Sequence, residues 1–225
     1  SEFGGKRVGT VALWDVGSVS VDTARDLNQA SMLIYGHDDY DGFGESMAAG
    51  DYDGDGVDDL AVGAAHAQGD VDNAGAVYVF LSAATLRLGN TRAAQADVTV
   101  LGPDRSTGPD GSPLFGFAVA LSGDMNDDGY GDLAVGAPEQ AGINNQEHAG
   151  AVWVCAGTTA RGLSQAGLEC SGRIADEETH THLGWAVEYA GDIDGDGRDE
   201  LLVGMPGFRI DDLEWGEVGI WYGAD

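Results

Sequence analysis

The sequence has 225 residues, and its 39 acidic against 10 basic side chains give a formal net charge of −29 at pH 7, which excludes nucleic acid and anionic membrane surfaces as partners by repulsion. Glycine fills 37 positions, more than twice the usual share of about 7%. That excludes a helical bundle, because each interior glycine costs a helix about 1 kcal/mol while turns between short strands accept it, and no apolar stretch approaches the roughly 20 residues that a membrane-spanning helix needs.

Ser1, Glu2 and Phe3 read as a cloning remnant, so residues 1–5 are expected to lie outside the fold. Short blocks rich in Val, Ala, Leu and aromatics then follow, each bounded by Gly, Asp or Asn as strands are. The first two are GTVALW from Gly9 and ASMLIYG from Ala30. A longer unit runs from Phe43 to Val62 (FGESMAAGDYDGDGVDDLAV) and is followed by GAVYVF from Gly75 and ADVTVLG from Ala96. The order returns with Phe115 to Val135 (FGFAVALSGDMNDDGYGDLAV), GAVWVC from Gly150 and CSGRIAD from Cys170. It starts a third time with Leu183 to Val203 (LGWAVEYAGDIDGDGRDELLV) and ends on GEVGIW from Gly216.

With the strands of one unit named A to D, the chain reads C-D, A-B-C-D, A-B-C-D, A-B-C, at a period of about 70 residues. A four-stranded sheet of that size buries its faces only by stacking on its neighbours around an axis. The expectation is an all-β fold of β-propeller blades, each of four antiparallel strands, about three in this chain; stacked β-solenoids repeat with far shorter periods. Residues 6–225 form one region, with repeats at about 43–114, 115–182 and 183–225 and residues 9–42 supplying the second half of a preceding blade. Closed propellers usually have about four to eight blades, so the edges are expected to be completed by missing blades or by a second copy of the chain.

Between strands A and B each repeat sets oxygen-bearing side chains at alternate positions. The first loop offers Asp51, Asp53, Asp55 and Asp59, the second Asp124, Asn126, Asp128 and Asp132, the third Asp192, Asp194, Asp196 and Glu200. Val57, Tyr130 and Arg198, at position 7, would add main-chain carbonyls, so their differing side chains do not matter. A hard cation such as Ca2+ takes about six to eight oxygens, and alternate carboxylates curling around a glycine turn can supply them. An EF-hand would need a bidentate Glu at position 12, where this chain has Val62, Val135 and Val203. Three Ca2+ sites are expected, the third weaker because Glu200 is longer than Asp, or helped there by Asp199.

Cys155 and Cys170 bracket a C-to-D connection at a spacing that suits a disulfide, with two buried thiols in a cytosolic protein as the alternative. His180 and His182 alternate and would share a face on a strand, but two ligands are too few for a transition metal. Trp14, Trp153 and Trp221 hold nearly equivalent C-strand places and are expected to pack within or between blades. No nucleophile elbow, P-loop or HExxH motif occurs, so no enzymatic role is expected.

The blocks FG…DxDGDGxxDLAVGA and DMNDDGYGDLAVGAP, followed by GAVYVF or GAVWVC, resemble the FG-GAP repeats of integrin α-subunit β-propellers, a pattern also found in fungal lectins, in glycosylphosphatidylinositol-specific phospholipase D and in bacterial surface proteins. The resemblance covers nearly the whole chain from Gly9 and implies blades of a seven-bladed propeller with Ca2+ in the A-to-B loops. It further implies a secreted or cell-surface adhesion or protein-interaction module whose partner is an extracellular protein or a glycan. A lectin-like propeller and a non-catalytic appendage of a secreted hydrolase are the alternatives. Two departures stand out: Glu200 replaces the usual Asp, and Leu183-Gly184 replaces Phe-Gly.

Overall fold

A computed structural model describes residues 8–14, 26–27, 30–68, 74–81, 90–102, 112–159, 163–164, 170, 172–210 and 213–223; the expected cloning remnant lies outside them. The first half-blade pairs β1 (Thr10–Leu13) with β2 (Met32–Tyr35). Blade I contains β3 (Met47–Gly50), β4 (Asp59–Ala64) and β5 (Ala76–Phe80), and then, after the two-residue β6 (Thr91–Arg92), β7 (Val98–Leu101). Blade II contains β8 (Ala118–Gly123), β9 (Asp132–Ala137) and β10 (Ala151–Cys155), and, after β11 (Leu163–Ser164), β12 (Gly172–Ala175). Blade III contains β13 (Ala186–Gly191) and β14 (Glu200–Met205), a small hairpin of β15 (Arg209–Ile210) and β16 (Leu213–Glu214), and β17 (Glu217–Trp221). Blades I and II are antiparallel meanders in chain order A, B, C, D, and blade III has A, B and C among the described residues, so every strand expected from the repeats is present.

Two additions were not visible in the repeat. β6 runs parallel beside β2, with Thr91 opposite Ile34, and β11 runs parallel beside β7, with Leu163 opposite Val98. The C-to-D connection of each of these repeats therefore reaches back and covers the outermost strand of the blade before it, satisfying backbone groups that an edge would leave open.

The period-two alternation of side chains assigns the core. Along β5, Ala76, Tyr78 and Phe80 pack toward the half-blade with Val11, Met32 and Ile34, while Val77 and Val79 pack toward blade II with Val119, Leu133 and Val135. Blade II repeats the arrangement: Val135 faces blade I, and Ala134 and Val152 face Val187, Leu201 and Val203 of blade III. Central strands buried on both faces have no polar side to show, which is why they read as continuous apolar runs. On β17, Val218 and Ile220 occupy the places of Val77 and Val79 but are 66% and 45% exposed.

Phe43, Phe115 and Leu183 each enter one of the three interblade cores and are at most 3% exposed. The A strand was expected to open on these residues; instead it starts three or four positions later, at Met47, Ala118 and Ala186. The aromatic-glycine pair forms the crossing between blades. There Phe115 makes a parallel bridge to Gly75, and Leu183 makes one to Gly150. Gly75 has φ +86, and a Cβ on it would stand 2.0 Å from the Phe115 carbonyl oxygen, so the crossing tolerates only glycine at the start of strand C.

Cys155, the fully buried last residue of β10, is bonded to Cys170, with Cα atoms 4.0 Å apart. The bond closes a loop of 15 residues of sequence separation, for which chain entropy gives about 3 kcal/mol. Replacing both cysteines by serine is expected to lower the denaturant midpoint, with the m-value rising as the unfolded chain becomes free to expand. An equal midpoint for the two proteins under non-reducing conditions would exclude the bridge as a stabilising element.

Of the tryptophans, Trp221 packs against the core between blades II and III, and Trp153 against the core between blades I and II. Trp153 stands in the register of Tyr78 rather than Phe80 and donates its indole N–H to the buried Gln140 side chain at 2.8 Å. Trp14 follows β1 and is 37% exposed.

Candidate metal centres in the A to B loops

The three acidic loops share one backbone course. In the first, the Asp51 carboxylate accepts the N–H groups of Asp55 and Gly56 at 3.0 and 2.8 Å, Asp55 accepts that of Val57 at 2.9 Å, and Asp59 accepts that of Tyr52 at 3.0 Å. The second loop repeats these contacts with Asp124 to Asp128 and Gly129, Asp128 to Tyr130, and Asp132 to Met125. The third does so with Asp192 to Asp196 and Gly197, Asp196 to Arg198, and Glu200 to Ile193. Positions 4 and 6 have positive φ in every loop; Gly supplies it everywhere except at Asp127, φ +57. The DxDGDG spelling is thus a backbone requirement as well as a set of oxygens.

Positions 1, 3 and 9 converge. In the first loop Asp51, Asp53 and Asp59 each offer an oxygen within 4.8 Å of the others, and in the third Asp192, Asp194 and Glu200 do the same. Asp59 and Glu200, at the bases of β4 and β14, are 2% and 0% exposed. The Glu200 Oε1 atom is buried without a hydrogen-bond partner, an expensive state for a carboxylate oxygen and the one expected of an atom reserved for a cation. The donor set contains only hard oxygens, which fits Ca2+ and not Zn2+.

Glu200 reaches the triad despite its extra methylene. Asp199, considered above as a helper ligand, instead accepts the Asp124 N–H at 3.1 Å across the blade boundary. In the second loop Asn126 holds the place of Asp53 and Asp194. Its Oδ1 accepts the Asp128 N–H at 3.0 Å, as Asp194 Oδ1 accepts that of Asp196 at 3.1 Å, and its amide donates to Asp128 Oδ2 at 3.0 Å, so positions 1, 3 and 9 carry two carboxylates and one amide there. Burial pushes Asp132 up to about 6, against the hydrogen bonds from the Met125 and Gly157 N–H groups, with Asp128 and Asp124 adding to the rise.

Sequence reading missed a ladder that joins the loops. The N–H at position 8 of each following loop donates to the carbonyl at position 1 of the loop before: Gly131 to Asp51 at 2.9 Å and Asp199 to Asp124 at 3.0 Å. Backbone groups carry these bonds, so no side-chain pattern advertised them. The loops consequently sit side by side at one end of the stacked blades.

The FG-GAP repeat family profile matches residues 43–80 and 115–155, the A, B and C strands of blades I and II. Among curated proteins, the chain is 32% identical over 168 residues to integrin alpha-PS5 of Drosophila melanogaster, covering 73% of this chain and 15% of that protein. It is 30% identical over 172 residues to integrin alpha-5 of Xenopus laevis, with the same coverages. It is 28% identical over 211 residues to integrin alpha-PS2 of Drosophila melanogaster, covering 89% of this chain and 13% of that protein. The chain thus carries FG-GAP repeats, is similar to integrin α-subunits over most of its length, and spans about 15% of the length of the relatives it matches.

Proposed function

We propose that this chain of FG-GAP blades is a Ca2+-stabilised interaction module that works outside the cell, binding another protein in adhesion and performing no catalysis. One region running 6–225 is the proposed unit, with repeats at 43–114, 115–182 and 183–225. The observation that carries the reading is the pair of convergent carboxylate triads at the bases of strands B in blades I and III, set on repeats that resemble integrin α-subunits. Asp51, Asp53, Asp55, Asp59, Asp192, Asp194, Asp196 and Glu200 are the proposed ligands of two sites, with the carbonyls of Val57 and Arg198. Asp124, Asn126, Asp128, Asp132 and the carbonyl of Tyr130 are those of a third. The disulfide supports an oxidising, extracellular setting, and no helix among the described residues is long and apolar enough to cross a membrane.

The exposed face of β17 and its unfilled D-strand position are proposed to be covered by a further blade or by a second copy. Equilibrium dialysis against Ca2+ and solid-phase binding to extracellular matrix proteins and to free glycans, each with and without chelator, test the reading. Ca2+ uptake with chelator-sensitive binding to protein is the expected result. Binding confined to glycans would make the module a lectin, and absence of Ca2+ uptake would overturn the proposal.

A further inference from the structure

Each crossing in this chain lands on bare backbone of the blade before it. A Cβ on Gly9, Gly75 or Gly150, just ahead of strand C, would stand 2.0, 2.0 or 2.2 Å from the carbonyl oxygen of Phe43, Phe115 or Leu183. A Cβ on Gly63 or Gly136, near the end of strand B, would stand 2.1 Å from the carbonyl oxygen of Gly116 or Gly184, the glycine of the arriving pair. Those two glycines both have φ +89, and a Cβ on them would stand 2.6 and 2.5 Å from the Ala76 and Ala151 carbonyl oxygens. Glycines on both sides therefore leave no room for a methyl group. The Leu183 N–H also donates to the Ala149 carbonyl at 3.0 Å. The residues after the pairs meet as well, with the Phe117 and Trp185 ring centres 4.9 Å apart across the boundary of blades II and III.

Blade III carries the same surface, and among the described residues no crossing lies on it. Gly204 and Gly216 stand in the places of Gly136 and Gly150. The nearest neighbour of a Cβ on Gly204 would be the Ala186 Cβ at 3.4 Å, and of one on Gly216 the Pro206 carbonyl oxygen at 3.5 Å, both within blade III. The two glycines line an open groove of about 460 Å³ together with Trp185, Pro206 and Val218. In blade II the place of Val218 is held by Val152, whose Cγ2 would be 3.1 Å from a Cβ on Gly184. Trp185 and Val218 are exposed. The groove thus has the backbone shape that Leu183-Gly184 fills one blade earlier and Phe115-Gly116 fills two blades earlier.

We propose that this groove is a docking site for one kind of occupant, the Phe-Gly or Leu-Gly crossing of a further FG-GAP blade. The inference rests on the reading above that blade III is covered, and it fixes what the covering partner must present. The Phe or Leu side chain enters beside Val218 and Ile220, as Phe115 lies in the core with Val77 and Val79. A glycine at positive φ follows it and passes over Gly204. The next side chain then meets Trp185, as Trp185 meets Phe117. A second copy of this chain has no such pair to offer among its described residues, because Phe43, Phe115 and Leu183 are each buried in their own crossings.

The probe is the peptide SPLFGFAV, residues 112–119 of this chain, titrated into the full chain in saturating Ca2+ while tryptophan emission is followed. Saturable binding with a blue shift from Trp185 and Trp215 is expected. Replacing the peptide's glycine by alanine should weaken binding by about 10-fold or more, since overpacking and strain at positive φ each cost about that much. Gly204→Ala should do the same from the protein side. It should melt as the parent does, because its methyl meets only the Ala186 Cβ at ordinary contact distance, whereas Gly136→Ala, under a filled crossing, should melt lower. Ca2+ uptake should be unchanged in Gly204→Ala, so the groove and the adhesion reading stand or fall on separate measurements. No binding of the peptide, or binding that both alanine changes leave intact, would overturn the proposal. So would self-association that Gly204→Ala abolishes and the peptide does not compete with, because the occupant would then be a second copy.

Discussion

Chelation of Ca2+ is expected to lower the melting temperature of this chain by about 10–20 °C. At free Ca2+ 100-fold above its dissociation constant each independent site contributes about 2.7 kcal/mol, and in a chain of this size 1 kcal/mol moves the midpoint by about 2–4 °C. The two convergent triads account for the range given. Without the ion, Asp51, Asp53 and Asp59 repel one another at short range, as do Asp192, Asp194 and Glu200, so the loops open. The ladder from Gly131 to Asp51 and from Asp199 to Asp124 passes the disturbance between blades. Glu200→Gln keeps the shape and removes one charge, and should abolish about half of the shift.

Acid supplies a second arm. Asp132 is raised to about 6 from the ordinary 3.8, so the folded chain takes up a proton there more readily than the unfolded chain does. In that window metal-free protein gains stability as pH falls through about 6, while Ca2+-loaded protein loses an ion to competition from protons. The chelator-induced shift should therefore shrink between pH 7.5 and pH 5.5. A melting curve indifferent to Ca2+, chelator and Glu200→Gln would refute the structural role of the metal.

Much of this architecture was legible because each blade reuses the same residues for the same local task. Strands B and C of blades I and II are pressed between neighbours on both faces, so they could only be apolar throughout, and DLAVGA and GAVYVF announce themselves. The acidic loops were legible for the same reason, since their oxygens and their left-handed glycines alternate by necessity. What stayed hidden depends on contacts distant in sequence. The parallel β6 and β11 are two residues long and owe their existence to the edges of β2 and β7. The place of Phe115 looked like a strand start because apolar patterning cannot tell a strand from a crossing that feeds one. The reach of Glu200 into its triad was not legible either, because the length of a side chain alone does not say where the backbone holds its carboxylate.

Phe115→Ala is expected to be among the most damaging single substitutions, at about 3–5 kcal/mol for loss of a fully buried aromatic ring. Phe115 is 1% exposed and lies in the core that Tyr52, Val77, Val79 and Val100 of blade I build with Val119, Leu133 and Val135 of blade II. Its backbone is tied to Gly75, whose close approach leaves the crossing no freedom to close over a cavity. Relaxation is therefore small and the cavity term large. The third repeat supplies its own control, because Leu183 fills the equivalent place at 2% exposure. Phe115→Leu should then cost under about 1.5 kcal/mol, within the tolerance of an apolar swap of similar volume. Denaturant unfolding of both variants in saturating Ca2+ distinguishes packing from patterning. Equal losses for Leu and Ala would mean that an aromatic ring itself, and not the filled volume, joins one blade to the next.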